Sequence, residues 1–416
     1  MPAAIISIGN ELTSGLTVNT NATWLSAQLA TCGVTVACHV TIGDDRAAIS
    51  DAIRRTAQRC DVVIVSGGLG PTLDDVTRQA LADVLGEPLV EDPAALANLE
   101  QFFKKINRPM APSNRVQALR PASAACLENH CGTAPGLRAR LGNSEIFIIP
   151  GVPREMRAMF SGQVAPELAA HSGGRVTLTA KLNTFGAGES WIGEQIADLM
   201  RRGAVPSVGT TVHDGVVSIR IYAEGEKQPA EKLLRDTSAI VRQRLGALVF
   251  SEDDDTLQLA VYQLMVQQKL TVATAESCTG GLLAEFLTDV PGSGNVFAGG
   301  FVVYTNTRKR EDLDVPAEML MRHGAVSEAV ALALATGAQH RTGADFGIGV
   351  TGIAGPEAVE GKPVGLVWIA IADKHEARAH AHHFSGERAA VRQRAAQMAL
   401  ARLRWKLLGL PAPPGA

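Results

Sequence analysis

The sequence lacks the paired cysteines that mark a zinc ribbon or a disulfide framework. None of its six cysteines stands at Cys-x-x-Cys spacing, and the group formed by Cys126, His130 and Cys131 matches no standard metal site. We therefore expect reduced thiols, which are typical of a cytoplasmic protein. The six cysteines are Cys32, Cys38, Cys60, Cys126, Cys131 and Cys278.

An excess of basic charge is also missing. The net charge is −3, the sequence pI is near 6.4, and the longest basic cluster is the short segment 308–310. This balance speaks against a nucleic-acid partner or an anionic membrane surface. No apolar run is long enough to span a membrane. The first residues, MPAAIISIGNE, lack the basic flank and long apolar stretch of a signal peptide, so we expect a first strand there.

The length and composition predict several globular domains. The chain has 416 residues, 46% of them hydrophobic and 19% charged, so two or three domains are expected. In residues 1–172, short apolar runs such as 3–8 and 61–65 alternate with helical patterns such as 47–58. Such alternation predicts a largely parallel sheet covered on both faces, a three-layer α/β/α domain. Ligands bind such sheets at the carboxyl ends of the strands.

Two further domains are predicted after residue 172. The strand and helix order of 173–251 is that of a small KH-like α+β domain. It has no Gly-x-x-Gly and no flanking basic cluster, which disfavours RNA binding. A separate α/β/α domain is predicted at 252–416, and its first residues, 252–255, form an acidic linker.

The segment VATAESCTGG, residues 272–281, combines a strand end, a hydroxyl group and a helix start. A helix N-terminus offers free N–H groups that can bind a phosphate or an oxyanion. Ser277 is therefore a candidate nucleophile. The alternative is that Ser277 or Thr279 merely caps the helix. A second alternative is that the neighbouring thiol of Cys278 is the true nucleophile.

A serine nucleophile needs a base, and no histidine in this domain stands in a recognisable partner motif. Lys309 is the candidate, since burial can lower the pKa of a lysine, and Tyr304 and Asn306 are its polar neighbours. The alternative is that Lys309 belongs to an exposed charged turn. Arg388 and Arg392 lie one helical turn apart and either clamp a phosphate or form a solvated face.

A glycine-rich loop, SGGLGPTLDDVT at 66–77, follows a predicted strand in the first domain. Its glycines would let the backbone approach an anion closely. Asp74 and Asp75 are expected in the first turn of the next helix, where they either complement the helix dipole or hold a divalent cation that bridges substrate phosphates. Two more polar loops, 132–136 and 150–155, also follow predicted strands.

Together these motifs make the chain resemble the CinA family of competence/damage-inducible proteins over essentially its whole length. The segments IGNELTSG, NTNA, SGGLGPTLDDVT, GTAPG and PGVPREM are similar to the family's molybdopterin-binding-like domain. The segments AESCTGG, GAVSE, TGIAGP, KPVG and FSGER are similar to its C-terminal domain. The resemblance implies domains at 1–172, 173–251 and 252–416, the middle one of KH type, and a homodimer.

The resemblance also implies two activities. The C-terminal domain would deamidate nicotinamide mononucleotide without a cofactor, and the N-terminal domain would be a metal-dependent ADP-ribose pyrophosphatase. The implied catalytic residues are Ser277 as nucleophile, Lys309 as its base, and Tyr304. The implied contacts to the mononucleotide are Glu276, Thr279, Gly280, Gly281, Asn306, Thr351, Gly352 and Arg388, with amides at the Gly280 helix start binding the oxyanion.

For the N-terminal domain the implied residues fall into two sets. The contacts to ADP-ribose are Asn19, Asn21, Gly67, Gly68, Gly70, Thr72, Thr77, Thr133 and Pro135. The ligands of a divalent cation are Glu11, Asp74 and Asp75.

The chain departs from the family pattern near the C-terminal site. Members usually have two glycines soon after TGIAGP, where this chain has Ala358 and Val359 in a shorter loop leading to Lys362. Arg308 stands where a small residue is common, directly before Lys309, and its charge would lower the pKa of the lysine further or displace it. Two rival functions are a binding module for molybdopterin or a nucleotide, and a non-catalytic factor in competence or DNA damage.

Overall fold

The computed structural model describes residues 1–171, 175–252 and 254–413. The predicted boundary between residues 172 and 173 and the linker residue Asp253 lie outside the described residues. Contacts within the chain define two compact units, residues 1–178 with 223–233, and residues 179–222 with 234–416. No helix in the described ranges is long and apolar enough to cross a membrane.

The first unit contains a six-stranded sheet in the order β2-β1-β3-β8-β7-β6. The first four of these strands are parallel, and β7 and β6 continue the sheet in antiparallel pairing. Two short strands, β4 and β5, pair separately. The strands are β1 Pro2–Ile8, β2 Thr35–Ile42, β3 Val62–Ser66, β4 Leu89–Glu91, β5 Leu119–Pro121, β6 Ala125–Leu127, β7 Gly136–Leu141 and β8 Ser144–Ile149.

Helices cover both faces of this sheet because its central strands are apolar on both sides. On one face Ile5 and Phe147 lie in a buried cluster with Leu25 of α2. On the other face Ile6 packs in a cluster with Ile53 of α3. The helices are α1 Asn10–Thr13, α2 Thr20–Thr31, α3 Arg46–Ala57, α4 Thr77–Leu85, α5 Pro93–Lys105, α6 Pro153–Met159 and α7 Ala165–His171.

A four-stranded sheet follows in the chain, in the order β10-β11-β9-β12. Its hairpin begins at Ser207, two residues later than the sequence predicts. The strands are β9 Arg175–Thr184, β10 Ser207–His213, β11 Val216–Glu226 and β12 Val249–Glu252, and the helices are α8 Glu189–Gln195 and α9 Lys227–Leu245.

The C-terminal sheet has five strands in the order β14-β13-β15-β16-β17. The first three are parallel, and β16 and β17 are antiparallel to their neighbours. Ile348 packs with Val391 of α15 on one face, and Ala275 packs with Leu334 of α14 on the other. The strands are β13 Val272–Glu276, β14 Phe297–Val302, β15 Phe346–Gly352, β16 Leu366–Ala372 and β17 Ala377–His383.

The C-terminal helices enclose that sheet in three layers, as the sequence predicts. They are α10 Leu257–Gln268, α11 Leu282–Thr288, α12 Asn306–Leu313, α13 Ala317–His323, α14 Glu328–Thr342 and α15 Arg388–Leu407. In the first domain, the polar loops 66–77 and 150–155 follow the carboxyl ends of the parallel strands β3 and β8, whereas the loop 132–136 follows the antiparallel strand β6.

Three element boundaries correct the sequence-based expectations. Asp74 and Asp75 precede α4, because the side chain of Asp75 accepts a hydrogen bond from the amide of Thr72, 2.9 Å away, and closes a turn before the helix. Gly280 and Gly281 precede α11, because both adopt positive φ angles, 61° and 96°. Lys309 lies within α12 and not in a loop, since the chain leaves β14 early.

Candidate active site

Ser277 and Lys309 form a buried pair at the carboxyl edge of the C-terminal sheet. Ser277 follows β13 directly, and its amide donates to the carbonyl of Val350 over 2.9 Å, which extends the strand pairing by one residue. Lys309 lies in α12, which the side chain of Thr305 caps. The lysine Nζ lies 3.1 Å from the serine Oγ. Only 8% of Ser277 and 1% of Lys309 is exposed, so solvent has little access to either.

Two carbonyl groups fix the ammonium position of Lys309. Its Nζ lies 3.0 Å from the carbonyl oxygen of Val303 and 3.3 Å from that of Tyr304. Burial lowers the pKa of Lys309 below its ordinary value, while the charges of Cys278 and Glu360 act in the opposite direction. A lysine with a lowered pKa is more readily neutral, and a neutral Nζ can accept the serine proton.

The thiol of Cys278 is buried among apolar side chains. Cys278 is 6% exposed and belongs to the apolar cluster that packs against α15. Burial raises its pKa to about 12. Since the thiolate is the reactive form of cysteine, this side chain is a poor nucleophile at neutral pH.

Glu276 holds the start of α11 together. The residue is fully buried, and its carboxylate accepts hydrogen bonds from the amides of Gly281, Leu283 and Ala284 at 3.0, 3.0 and 2.8 Å. The Gly281 amide, which the resemblance assigns to substrate, is therefore occupied, and so is the carboxylate of Glu276. This arrangement corrects the expectation that the helix start binds an oxyanion.

The free amides lie one step earlier, directly after the serine. The amide of Gly280 donates to the carbonyl of Ser277 over 3.2 Å. Within the described part of the chain, no backbone carbonyl accepts from the amides of Cys278 and Thr279, and both amides lie near the sulfur of Cys278. The Oγ1 of Thr279 is also buried without a hydrogen-bond partner. The turn after Ser277 thus holds two amides without a backbone acceptor and one buried hydroxyl without a partner.

Replacing Glu276 by glutamine is expected to loosen α11, because the neutral amide cannot serve three N–H groups as an acceptor. We expect a loss of about 2 kcal/mol in local stability and faster hydrogen exchange at the amides of Leu283 and Ala284. Hydrogen-exchange mass spectrometry measures both. The matched control is Glu285→Gln, which changes an exposed carboxylate in the same helix turn; equal acceleration in the two variants contradicts the assignment.

Two arginines of α15 reach the same edge of the sheet. Arg388 donates to the carbonyl of Gly355 over 2.7 Å and to the hydroxyl of Tyr304 over 2.9 Å. Arg392 donates from Nη2 to the carbonyl of Thr279 over 2.7 Å. The pair is therefore tied to loops around the serine and is not a solvated face. Arg392 is absent from the residues that the resemblance implies, although its spacing from Arg388 indicates it.

The remaining residues predicted for this site differ in their hydrogen bonds and in their exposure to solvent. The hydroxyl of Thr351 donates to the carbonyl of Ala325 over 2.8 Å, and Gly352 is the last residue of β15. Asn306 is exposed at the first turn of α12. Arg308 faces outward, 3.4 Å from Asp312.

The altered loop after TGIAGP is anchored in place. Val359 and Lys362 pair with each other, and the Nζ of Lys362 donates to the carbonyls of His323 and Val326 at 2.9 and 2.7 Å. Its neighbour Glu360 lies close enough for its charge to act on Lys309. The residue types in this loop do not predict these contacts from the sequence alone.

In the first domain, some of the predicted residues line two separate cavities, and the predicted residues of the glycine-rich loop line neither of them. A small cleft of about 150 Å³ is lined by Glu11, Asn19 and Asn21 among others; Asn19 caps α2, and Asn21 donates to the carbonyl of Gly151 over 2.7 Å. Thr133 and Pro135 line a separate cavity of about 1020 Å³. The glycine-rich loop joins β3 to α4.

The residues expected to bind a metal do not form a metal site by themselves. In the part of the chain that the structure describes, no group of three or more His, Cys, Asp or Glu side chains could hold a metal ion. The carboxylate of Asp75 is engaged by the amide and hydroxyl of Thr72. Hydrogen bonding to Thr72 lowers the pKa of Asp74. Glu11, Asp74 and Asp75 as placed therefore do not fit a cation held by protein ligands alone.

The fold and the site define a multidomain α/β protein whose C-terminal α/β/α domain carries a buried serine–lysine pair. Three family models match successive parts of the chain: the probable molybdopterin binding domain at residues 4–170, the KH domain of damage-inducible protein CinA at 179–251, and the CinA C-terminal domain at 254–407. The chain belongs to the CinA family. The predicted fold class is confirmed, and the domain boundaries stay a prediction.

Full-length relatives agree with this membership. A protein of Symbiobacterium thermophilum named for competence-damage induction is 43% identical over 98% of this chain and 99% of its own length. A CinA-like protein of Geobacter sulfurreducens is 42% identical over 98% of this chain and 100% of its own length. Among solved structures, a CinA protein of unknown function from Thermoplasma acidophilum is 37% identical, covering 40% of this chain and 97% of its own, with a TM-score of 0.38.

Proposed function

We propose that the C-terminal domain hydrolyses the carboxamide of nicotinamide mononucleotide to nicotinate mononucleotide and ammonia. The observation that carries the proposal is the distance of 3.1 Å between Nζ of Lys309 and Oγ of Ser277 in a buried site. A nucleophile within hydrogen-bond distance of a base with a lowered pKa is the arrangement that acyl transfer requires. The family resemblance supplies the choice of substrate.

The chemistry divides into acylation and deacylation. Neutral Lys309 takes the proton of Ser277 as Oγ attacks the carboxamide carbon, and the resulting oxyanion accepts hydrogen bonds from the amides of Cys278 and Thr279. Collapse of this intermediate breaks the C–N bond, and Lys309 returns its proton to the departing ammonia. Lys309 then deprotonates a water molecule, which attacks the acyl ester; the bond between the acyl carbon and Oγ breaks, and Lys309 returns the proton to Ser277.

The two arginines of α15 suit the phosphate of a mononucleotide. A guanidinium group forms paired hydrogen bonds with phosphate oxygens, and Arg388 and Arg392 both reach loops beside Ser277. Tyr304 would orient Arg388 through its hydroxyl group. In this arrangement the phosphate anchors the substrate while the carboxamide reaches the serine.

The experiment that tests the proposal measures ammonia release from nicotinamide mononucleotide by the purified chain. Nicotinamide riboside, which has the same carboxamide but no phosphate, is the matched substrate. We expect turnover of the mononucleotide and little turnover of the riboside. No ammonia from either compound contradicts the proposed activity.

Replacing Arg388 by glutamine is expected to raise the KM for nicotinamide mononucleotide about 10- to 100-fold, because a charged hydrogen bond to phosphate is lost. The rate with nicotinamide riboside should change little. Arg394→Gln is the control, since Arg394 lies in the same helix and donates to the carbonyl of Ser385. An equal rise in KM for both variants contradicts a phosphate contact at Arg388.

A second candidate function concerns the first domain, which we propose binds the diphosphate of ADP-ribose and hydrolyses it. Within the described residues, the amides of Gly68, Leu69 and Gly70 in the glycine-rich loop have no acceptor, which favours a phosphate ligand. A divalent cation is proposed only with oxygen ligands from the diphosphate in addition to carboxylates, since the protein ligands alone do not fit. Formation of AMP from ADP-ribose with added Mg²⁺ or Mn²⁺ tests this function, and binding without AMP formation favours a binding module.

The homodimer is tested by light scattering.

A further inference from the structure

Arg78 is a buried cation in the first domain that, among the described residues, donates no hydrogen bond to a carboxylate. It follows Thr77 at the start of α4, and its side chain is fully buried. Burial lowers its pKa to about 10, while the nearby charge of Asp75 acts in the opposite direction and compensates only part of the effect. Among the described residues, its hydrogen-bond acceptors are the carbonyl groups of Leu69 and Gly70, and its Nε has no acceptor. A buried charge that is not neutralised costs stability, so its position calls for an explanation.

The charge lies directly beneath the glycine-rich loop, whose carbonyl groups all turn toward α4. The Gly67 carbonyl accepts from the hydroxyl of Thr77 over 3.0 Å, and the Gly68 carbonyl accepts from the Thr77 amide over 3.3 Å. The Leu69 carbonyl accepts from Arg78. Two adjacent residues of one helix therefore hold three consecutive peptide groups in one orientation.

The amides of the same peptide groups must point the opposite way. In a planar trans peptide the N–H is antiparallel to the C=O, and no cis bond occurs in this loop. The N–H groups of Gly68, Leu69 and Gly70 therefore face away from α4, and within the described residues none of them has an acceptor. Consecutive free amides form a concave binding site for an anion.

Gly68 shows that this loop conformation excludes larger residues. Its φ is +67°, in the left-handed region, and a Cβ there would lie 2.0 Å from the hydroxyl oxygen of Thr77. The close approach of the loop backbone to Thr77 is thus part of the same arrangement that turns the amides outward.

We propose that Arg78 is a positioning residue for a phosphate group bound by the amides of Gly68, Leu69 and Gly70. Arg78 orients the peptide groups through their carbonyl oxygens and supplies the positive charge that the bound anion neutralises. It does not touch the ligand. This inference rests on the phosphate-binding part of the function proposed for the first domain and is independent of turnover.

The test compares binding of inorganic pyrophosphate by the full chain and by variants, measured by titration calorimetry with EDTA present. Arg78→Met removes the charge and the carbonyl contacts and is expected to weaken binding by at least about tenfold. Arg78→Lys keeps the charge and should recover part of the loss. Arg54→Met is the matched control, since Arg54 also donates to a backbone carbonyl, that of Asp83, but is exposed.

Unchanged binding by Arg78→Met overturns the proposal. Equal losses in Arg78→Met and Arg78→Lys also overturn it, because the charge would then be irrelevant. A second measurement uses the unmodified protein and does not depend on a variant that folds: the amide resonances of Gly68, Leu69 and Gly70 should shift saturably as pyrophosphate is added. Saturation without those shifts places the anion elsewhere and refutes the inference.

Two sources of the phosphate group, a diphosphate ester and a phosphorylated pterin, are separated by competition. ADP-ribose and a pterin phosphate are each added to the pyrophosphate complex, and the displacing compound identifies the source. Bound pyrophosphate with no AMP formed from ADP-ribose leaves the inference standing and removes the hydrolase function. AMP formation that is insensitive to Arg78→Met leaves the hydrolase function standing and removes the inference.

Discussion

Replacing Ser277 by alanine is expected to lower kcat for deamidation of nicotinamide mononucleotide by at least about 10³-fold. The hydroxyl forms the covalent bond in the proposed reaction, and a water molecule held by Lys309 cannot reproduce its position. The variant keeps the backbone hydrogen bond to Val350 that fixes this turn, so substrate binding should persist. Ammonia release and calorimetric binding, measured on the same preparation, check both expectations.

Cys278→Ala is the control for that experiment. The thiol is buried among apolar side chains and burial raises its pKa to about 12, so its removal should leave kcat within a few-fold of the unmodified value. Mass spectrometry of an acid-quenched reaction should find the acyl group on the peptide that contains Ser277. An active Ser277→Ala variant together with an inactive Cys278→Ala variant would reverse the assigned roles.

Hydrophobic patterning predicts the layers of this protein well. The apolar runs around Ile5, Ile64 and Ile348 become strands buried on both faces, because a residue at each position of a central parallel strand has a helix above or below it. Parallel strands place their carboxyl ends at one edge, which is why Ser277 and Lys309 could be expected near each other from the two strands that they follow. The sequence pattern therefore predicts at which edge of the sheet the site lies.

The hydrophobic pattern of the sequence does not show in which direction a polar side chain points. The sequence shows an acid beside Ser277 but not that Glu276 turns inward to the amides of α11. Likewise, two acids in the glycine-rich loop predict a cation site, whereas Asp75 closes a turn with Thr72. Arg78 follows both acids in the sequence as an ordinary helix residue. Its burial depends on tertiary packing, for which a single charged residue gives no signal.

Replacing Lys309 by methionine is expected to lower kcat/KM for nicotinamide mononucleotide by about 10²- to 10⁴-fold, the usual contribution of a general base. Methionine has a similar length and no proton-accepting group. In the unmodified protein kcat/KM should rise with pH as Lys309 loses its proton, with a midpoint below the ordinary lysine pKa of 10.5, because burial lowers the pKa. The methionine variant should lack that rise. Initial rates across pH 6 to 10 measure both.

Thermal unfolding separates a lost base from a damaged fold in this variant. Since the pKa of Lys309 is lower in the folded chain than in the unfolded chain, the unfolded chain binds more protons between the two values. The contribution of Lys309 to the free energy of unfolding therefore rises with pH across that window and is unfavourable below it. Lys309→Met removes this cost, so the variant should be at least as stable at neutral pH. An inactive variant of equal stability has lost its base, whereas early unfolding would assign Lys309 a packing role.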